Sequence, residues 1–317
     1  MRSRLRRLAT VLTALAATAT VLAGNVPATA APLPVPYGSA YPFLDVAVHD
    51  WNAAVPGAND WNCHPSAAHP EPVVLVTSTF LSDGVNWTSL GPYLHNQGYC
   101  VYTFNYGRTP YVPPGLNGLG PIPASAQETA DFVGKVLAAT GATKIDMVGH
   151  SQGGLVARYF INNLGGAAVV EKMVLLSSPY SMGSLAGVNL TQLVESLVPA
   201  VVFHAIESSG VVPVGLVQLT DPAFWHELDG TGNGLAPGVT YTEITSHTDE
   251  VGLLGGMPAP AGATNASTEY IQSYCPTDLS THFEQPYSPT AVALIGNALD
   301  PADAINPPCT IVPITGP

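Results

Sequence analysis

The chain predicts an α/β fold, a mainly parallel central sheet with helices on both faces, from three observations. Short, almost wholly apolar runs recur along it, segments of helical period separate them, and one strand-to-helix junction carries Gly-x-Ser-x-Gly. An apolar run without polar alternation marks a strand buried on both faces, the condition of a parallel sheet. The first such run covers residues 72–77 and the second residues 99–105. A helix is predicted from Ser125, where Glu128 three residues on completes a capping box and Ala126, Ala130, Val133 and Leu137 share one face. Gly141 ends it. Residues 144–148 form the next strand. Leu155, Val156, Tyr159 and Phe160 give the buried face of the following helix, which Gly165-Gly166 closes. Residues 170–176 and 239–245 read as two further strands. Ser288-Pro289 opens a last helix carrying Val292, Ile295 and Leu299.

Three stretches stand outside that alternation. Arg2, Arg4, Arg6 and Arg7, an apolar stretch from Leu8 to Ala23 and then Ala28-Thr29-Ala30 predict a signal peptide over 1–30, cleaved after Ala30. Left uncleaved, the same stretch would be an anchor helix, although it is short and rich in Ala and Thr. Arg6-Arg7 leaves the general secretory and twin-arginine routes both open. Residues 31–317 then form one domain, beginning with an irregular, Pro-rich N-terminal extension over 31–70 whose Trp51 and Trp61 pack against the main body. An insertion over 181–237 is rich in Leu, Val and Phe, among them Leu193, Leu197, Val201, Val202 and Phe203. It reads either as a cap or lid over the site or as an ordinary packed helical pair.

The formal net charge is −13, and loss of the leader would deepen it by four charges, since the leader holds four arginines and no acid. Such a surface repels phosphate backbones, which excludes nucleic acid as a partner. Charged residues make up only 10% of the chain, against about 25% in typical domains, which suits a neutral or greasy substrate. After the leader no apolar run is long enough to cross a bilayer, so no integral membrane segment is expected and the product is expected to be secreted and extracellular. Four cysteines in an exported chain imply disulfides in one of three pairings. The simplest joins sequence neighbours, Cys63 with Cys100 and Cys275 with Cys309. Neither a metal-ligand spacing of cysteines nor a calcium-type carboxylate cluster is evident, so no metal is expected.

The junction motif is Gly149-His150-Ser151-Gln152-Gly153. Between a strand and a helix this is the nucleophile elbow of an α/β-hydrolase fold, in which small flanking residues let strand and helix pass closely around a sharply turned serine. With 31 glycines in the chain the pattern alone is weak, and its setting and partners carry the reading. Ser151 is the candidate nucleophile. It requires a base, and the base a carboxylate, in the chain order Ser, Asp or Glu, His. His282 lies well beyond the last strong strand, and is the candidate base. Asp249 lies just past the end of strand 239–245, with Glu250 as the adjacent rival. Asp221, Asp229 and Asp278 read as turn residues, His247 as a locally bonded loop residue, and His150 as a residue turned beneath the elbow. The oxyanion is expected at the N–H groups of Gln152 and Thr79, the latter in the loop after the first strand.

These residues resemble the secreted bacterial class 2 triacylglycerol lipases and, more distantly, the fungal lipase B type. The likeness runs through Val73-Val74-Leu75-Val76, Thr79-Phe80, Asn86-Trp87, Gly98-Tyr99-Cys100-Val101-Tyr102 and Asn105-Tyr106-Gly107. It continues through Val148 to Gly154, Ser178-Pro179-Tyr180 and Thr248-Asp249-Glu250-Val251. The resemblance implies Ser151, Asp249 and His282 as a triad, Thr79 and Gln152 as oxyanion donors, hydrolysis of water-insoluble esters at a lipid–water interface without a cofactor, and a similar cysteine pairing. One departure stands out. Many relatives carry His-Gly or Asn-Gly before the oxyanion threonine or its equivalent, where this chain has Thr77-Ser78, and serine tolerates glycine conformations less well. Other readings are a short-chain esterase, polyester hydrolase or acyltransferase, or a catalytically silent lipid-binding fold.

Overall fold

The computed structural model describes residues 31–38, 53–110, 116–185, 214–230, 232–252 and 256–313. The leader expected at 1–30 lies outside the described residues, as do Trp51 and the five apolar insertion residues Leu193, Leu197, Val201, Val202 and Phe203. Six strands are described: β1 Val73–Val76, β2 Val101–Phe104, β3 Ile145–His150, β4 Val170–Leu176, β5 Thr240–Thr245 and β6 Ala266–Tyr270. They form one sheet in the order β2-β1-β3-β4-β5-β6, every neighbouring pair parallel. The described helices are α1 Asp83–Asn86, α2 Leu90–Asn96, α3 Ile122–Thr140, α4 Gln152–Asn163, α5 Val214–Gln218, α6 Pro222–Asp229, α7 Ile271–Tyr274 and α8 Pro289–Leu299.

The apolar runs follow from burial on both sides of the sheet. Val74, Val76, Met147 and Leu175 pack on one face against Ile122, Ala126 and Val133 of α3 and Leu155 and Val156 of α4. Their neighbours Val73, Leu75, Val148 and Val174 point the other way, against Leu90 and Leu94 of α2 and Val292 and Ile295 of α8. Ser288 caps α8, its hydroxyl accepting from the Ala291 N–H at 3.1 Å.

The third helix corrects the capping box expected at Ser125. α3 starts at Ile122, and Ser125 lies inside it with its hydroxyl donating back to the Pro121 carbonyl at 3.1 Å. Glu128 instead accepts from the Gly107 N–H at 3.3 Å. The free N–H of Ile122 goes to Gln218 Oε1 at 2.7 Å, so the cap comes from α5, far along the chain. Gly141 ends α3 as expected, with φ of 71°. The sixth strand was not foreseen, because Ala-Ser-Thr-Glu-Tyr at the sheet edge is half-exposed and carries no apolar run. Two of the aspartates expected in turns also make anchoring contacts. Buried Asp278 accepts from Ser288 Oγ at 2.5 Å and from the Ser280 N–H at 3.1 Å, and Asp229 pairs with buried Arg158. Asp221 does sit at a turn, as the N-cap of α6.

The strand order reverses between β1 and β3, and crevices outside the carboxyl ends of parallel strands open at such a reversal. The loops after β1 and β3 therefore meet there, with the loop after β5 two strands away.

Candidate active site

Ser151 stands between β3 and α4 with φ of 54° and ψ of −125°, a backbone region that non-glycine residues rarely occupy. The flanking glycines make room for it. A Cβ on Gly149 would lie 2.7 Å from the Gly154 backbone, and one on Gly153 would lie 2.3 Å from the Val76 carbonyl oxygen. The Ser151 N–H donates to the Leu176 carbonyl at 3.0 Å, tying the turn to β4, and the residue stays partly exposed.

The loop after β1 brings Thr79 to the same place. An added Cβ on Gly118 would touch both Thr79 Cα at 3.0 Å and Gln152 Oε1 at 2.8 Å. Among the described residues, neither the Thr79 nor the Gln152 N–H is spent on a backbone carbonyl. The departure at Thr77-Ser78 proves harmless to the backbone, since the positive φ of this loop falls on Phe80, at 67°, and not on Ser78. Phe80 is held there by its N–H donating to the Asn117 carbonyl at 2.9 Å. Ser78 donates its N–H to Asn86 Oδ1 at 3.1 Å, and the Tyr106 hydroxyl donates to the Thr77 carbonyl at 2.7 Å.

On the other side, His282 Nδ1–H donates to Asp249 Oδ2 at 2.9 Å, leaving Nε2 as the ring nitrogen available for proton transfer. Both residues are buried. Asp249 Oδ1 accepts from the N–H groups of Val251 and Gly252, each at 2.9 Å, and Oδ2 also accepts from Gln285 Nε2 at 2.8 Å. Burial opposes ionisation of Asp249, but the His282 charge and these hydrogen bonds outweigh it and hold the carboxyl below its usual range. Burial likewise opposes the imidazolium of His282. The Asp249 carboxylate, with Glu250 adding to it, wins and raises that ring above its ordinary value.

Asp249 and Glu250 meet different parts of His282. Glu250 Oε2 accepts the backbone N–H of His282 at 2.8 Å and leaves the ring to Asp249. His150 lies beneath the elbow, fully buried, with Nδ1 3.0 Å from Asn86 Oδ1 and Nε2 3.1 Å from the His282 carbonyl oxygen. His247 stacks on Tyr270 at 4.2 Å between ring centroids. Cys63–Cys100 and Cys275–Cys309 are disulfides, with Cα separations of 5.7 Å and 5.0 Å. The second pins the tail beside the loop that leads to His282, where the Leu279 N–H donates to the Val312 carbonyl at 2.9 Å. Among the described residues no group of three or more His, Cys, Asp or Glu could hold a metal ion, and no helix is long and apolar enough to cross a membrane.

Sequence reasoning missed Gln285 and gave Asn86 no role of its own, naming it only within the resemblance. Gln285 holds Asp249 and accepts from Ser177 Oγ at 2.8 Å, and its one local signal is its place three residues after His282. Asn86 binds the loop after β1 and carries no spacing signal of its own.

Residues 70–208 match the family model of class 2 lipases. Over 113 residues the chain is 38% identical to a triacylglycerol lipase of Pseudarthrobacter phenanthrenivorans, covering 34% of this chain and 31% of that protein. It is also 38% identical over 113 residues to a triacylglycerol lipase of Burkholderia plantarii, covering 34% of this chain and 28% of that one. The chain thus spans about a third of the length of the curated relatives it matches. Aspergillus fumigatus lipase B superposes with a TM-score of 0.53 at 20% identity, over 87% of this chain and 64% of that one. A mature Bacillus licheniformis lipase superposes with a TM-score of 0.51 at 14% identity, over 78% and 96%. The fold is that of an α/β-hydrolase.

Proposed function

We propose, from the class 2 lipase match and the buried Asp249–His282 pair beside the elbow, that the protein is a serine-dependent carboxylic ester hydrolase, acting as a triacylglycerol lipase. The single observation that carries the chemistry is that pair. A histidine whose Nδ1–H is fixed on an ionised carboxylate presents Nε2 in the tautomer that accepts a hydroxyl proton. Ser151 Oγ attacks the ester carbonyl while His282 Nε2 takes its proton, and the oxyanion is received by the N–H groups of Thr79 and Gln152. His282 then returns the proton to the leaving alcohol. Water, activated by the same nitrogen, releases the carboxylic acid from Ser151. The two disulfides and the basic-then-apolar leader support export, with the enzyme meeting its water-insoluble ester at a transient lipid–water interface.

A fluorophosphonate that labels Ser151, with Ser151→Ala abolishing both labelling and fatty-acid release from a triglyceride emulsion, is the expected result. Release that persists in the Ala variant overturns the reading. Relative rates on short and long acyl esters then distinguish a lipase from a short-chain esterase.

A further inference from the structure

The main chain of His282 is gripped at both ends by the residues next to its two partners. Glu250, which follows Asp249, takes the His282 N–H at 2.8 Å. His150, which precedes Ser151, meets the His282 carbonyl with Nε2 at 3.1 Å. Those two contacts fix the peptide units on either side of His282, and Asp249 fixes the ring between them. A carbonyl oxygen only accepts, so the second contact requires the Nε2–H form of His150. The His150 ring is fully buried, and burial together with the charge of His282 keeps it neutral, so it has one proton for two acceptors, the His282 carbonyl and Asn86 Oδ1, of which the second already has the Ser78 N–H.

The other edge of the ring leads to the oxyanion side. Nδ1 lies 3.0 Å from Asn86 Oδ1, an acceptor that already takes the Ser78 N–H at 3.1 Å, so with the proton on Nε2 this edge is a packing contact and not a hydrogen bond. Trp87 and Phe283 close over the ring edge-on, each with its centroid 6.4 Å away.

We infer that His150 carries its proton on Nε2 and is a positioning residue for His282, holding the carbonyl of the base from beneath the elbow. The inference rests on the proposed esterase reading for its kinetic consequence, but not for its geometry. A displaced base degrades proton transfer without weakening ester binding, and misplacement by about an ångström costs on the order of 10² in rate.

Two amide variants separate the two edges of the ring. His150→Gln puts an N–H where Nε2 stood, whereas His150→Asn reaches only the Nδ1 position. In the full chain, His150→Asn is expected to lower kcat on a soluble nitrophenyl ester by about 10–100-fold with KM within about twofold. His150→Gln is expected to hold kcat within about fivefold of the unaltered protein. The low-field proton resonance of His282 Nδ1–H, recorded in a Ser151→Ala background, is expected to move in the Asn variant and stay in the Gln variant. Nitrogen-15 shifts of the unaltered protein are expected to report the Nε2–H form of His150. An Nδ1–H form, or Asn and Gln variants alike in kcat and in the resonance, overturns the inference. Should neither variant fold, the tautomer in the unaltered protein decides. Absence of ester turnover and of Ser151 labelling in the unaltered protein would remove the esterase reading, while the tautomer and the resonance would still decide the role of His150.

Discussion

A carboxylate sealed from water must be neutralised by the groups around it, and Asp249 has four: the His282 ring, two backbone N–H groups and the Gln285 amide. The partnership sets the pH behaviour. Because Asp249 raises His282 above its ordinary value, the ion pair adds stability that is fully present below the unfolded value of about 6.5 and fades as pH rises through the folded value. Activity needs the neutral ring and should rise over that same interval. The acid limb of kcat/KM on a soluble ester is therefore expected above about pH 6.5. Asp249→Asn should lower that limb and reduce kcat by about 10³–10⁴. A limb at or below 6.5 in the unaltered protein, or an Asn variant of ordinary rate, would contradict the pairing. At this scale Ser151, Asp249 and His282 were legible because chain order and the strand ends constrain them. Gln285, Asn86 and the backbone grip of Glu250 were not, since a side chain that bonds to a neighbour's amide or carboxylate leaves no spacing in the sequence.

Among the elements, β1 was legible because burial on both faces writes itself as an unbroken apolar run, Val-Val-Leu-Val, and β3 and β4 because their apolar residues outnumber the interruptions at Asp146, Glu171 and Lys172. The start of α3 was not. Its first N–H is capped by Gln218 from another helix, while Ser125 and Glu128 imitate a local cap that their side chains do not make. β6 escaped because an edge strand exposed along one side needs no apolar residues. The elbow carries the sharpest steric demand. The backbone of α4 passes so close to β1 that a methyl on Gly153 would meet two carbonyl oxygens, those of Val76 and Thr77, at 2.3 Å and 2.4 Å. Gly153→Ala should force the helix away from the strand, lowering stability by about 1–3 kcal/mol and slowing Ser151 labelling at temperatures where the variant remains folded. Thermal unfolding with labelling rates measures both. An unchanged melting temperature would mean that α4 can withdraw from β1 without cost.

Across the whole molecule, the candidate site draws on residues 79, 151, 249 and 282, and only a parallel sheet whose order reverses beside β1 gathers such distant loops at one edge. Topology at that level was legible from the alternation of strands and helices. The way α6 attaches to the sheet domain was not, since it depends on an ion pair between residues 71 apart. Arg158 on α4 is fully buried and pairs with Asp229 of α6 at 2.7 Å. Its guanidinium also donates to the Pro179 carbonyl at 3.2 Å and lies 5.0 Å from the centre of the Tyr180 ring. Those neutral partners orient the cation without cancelling its charge. Removing the carboxylate alone strands a buried charge, whereas removing both leaves no charge to solvate. Asp229→Ala should therefore cost about 3 kcal/mol, seen as a fall of roughly 5–10 °C in melting temperature. The double variant Arg158→Met with Asp229→Ala should recover most of that loss, because the methionine fills the space of the arginine stem and carries no charge to solvate. The comparison distinguishes an electrostatic anchor from simple packing. A double variant less stable than Asp229→Ala would place the contribution of Arg158 in its contacts with the carbonyls and with Tyr180 rather than in the pair with Asp229.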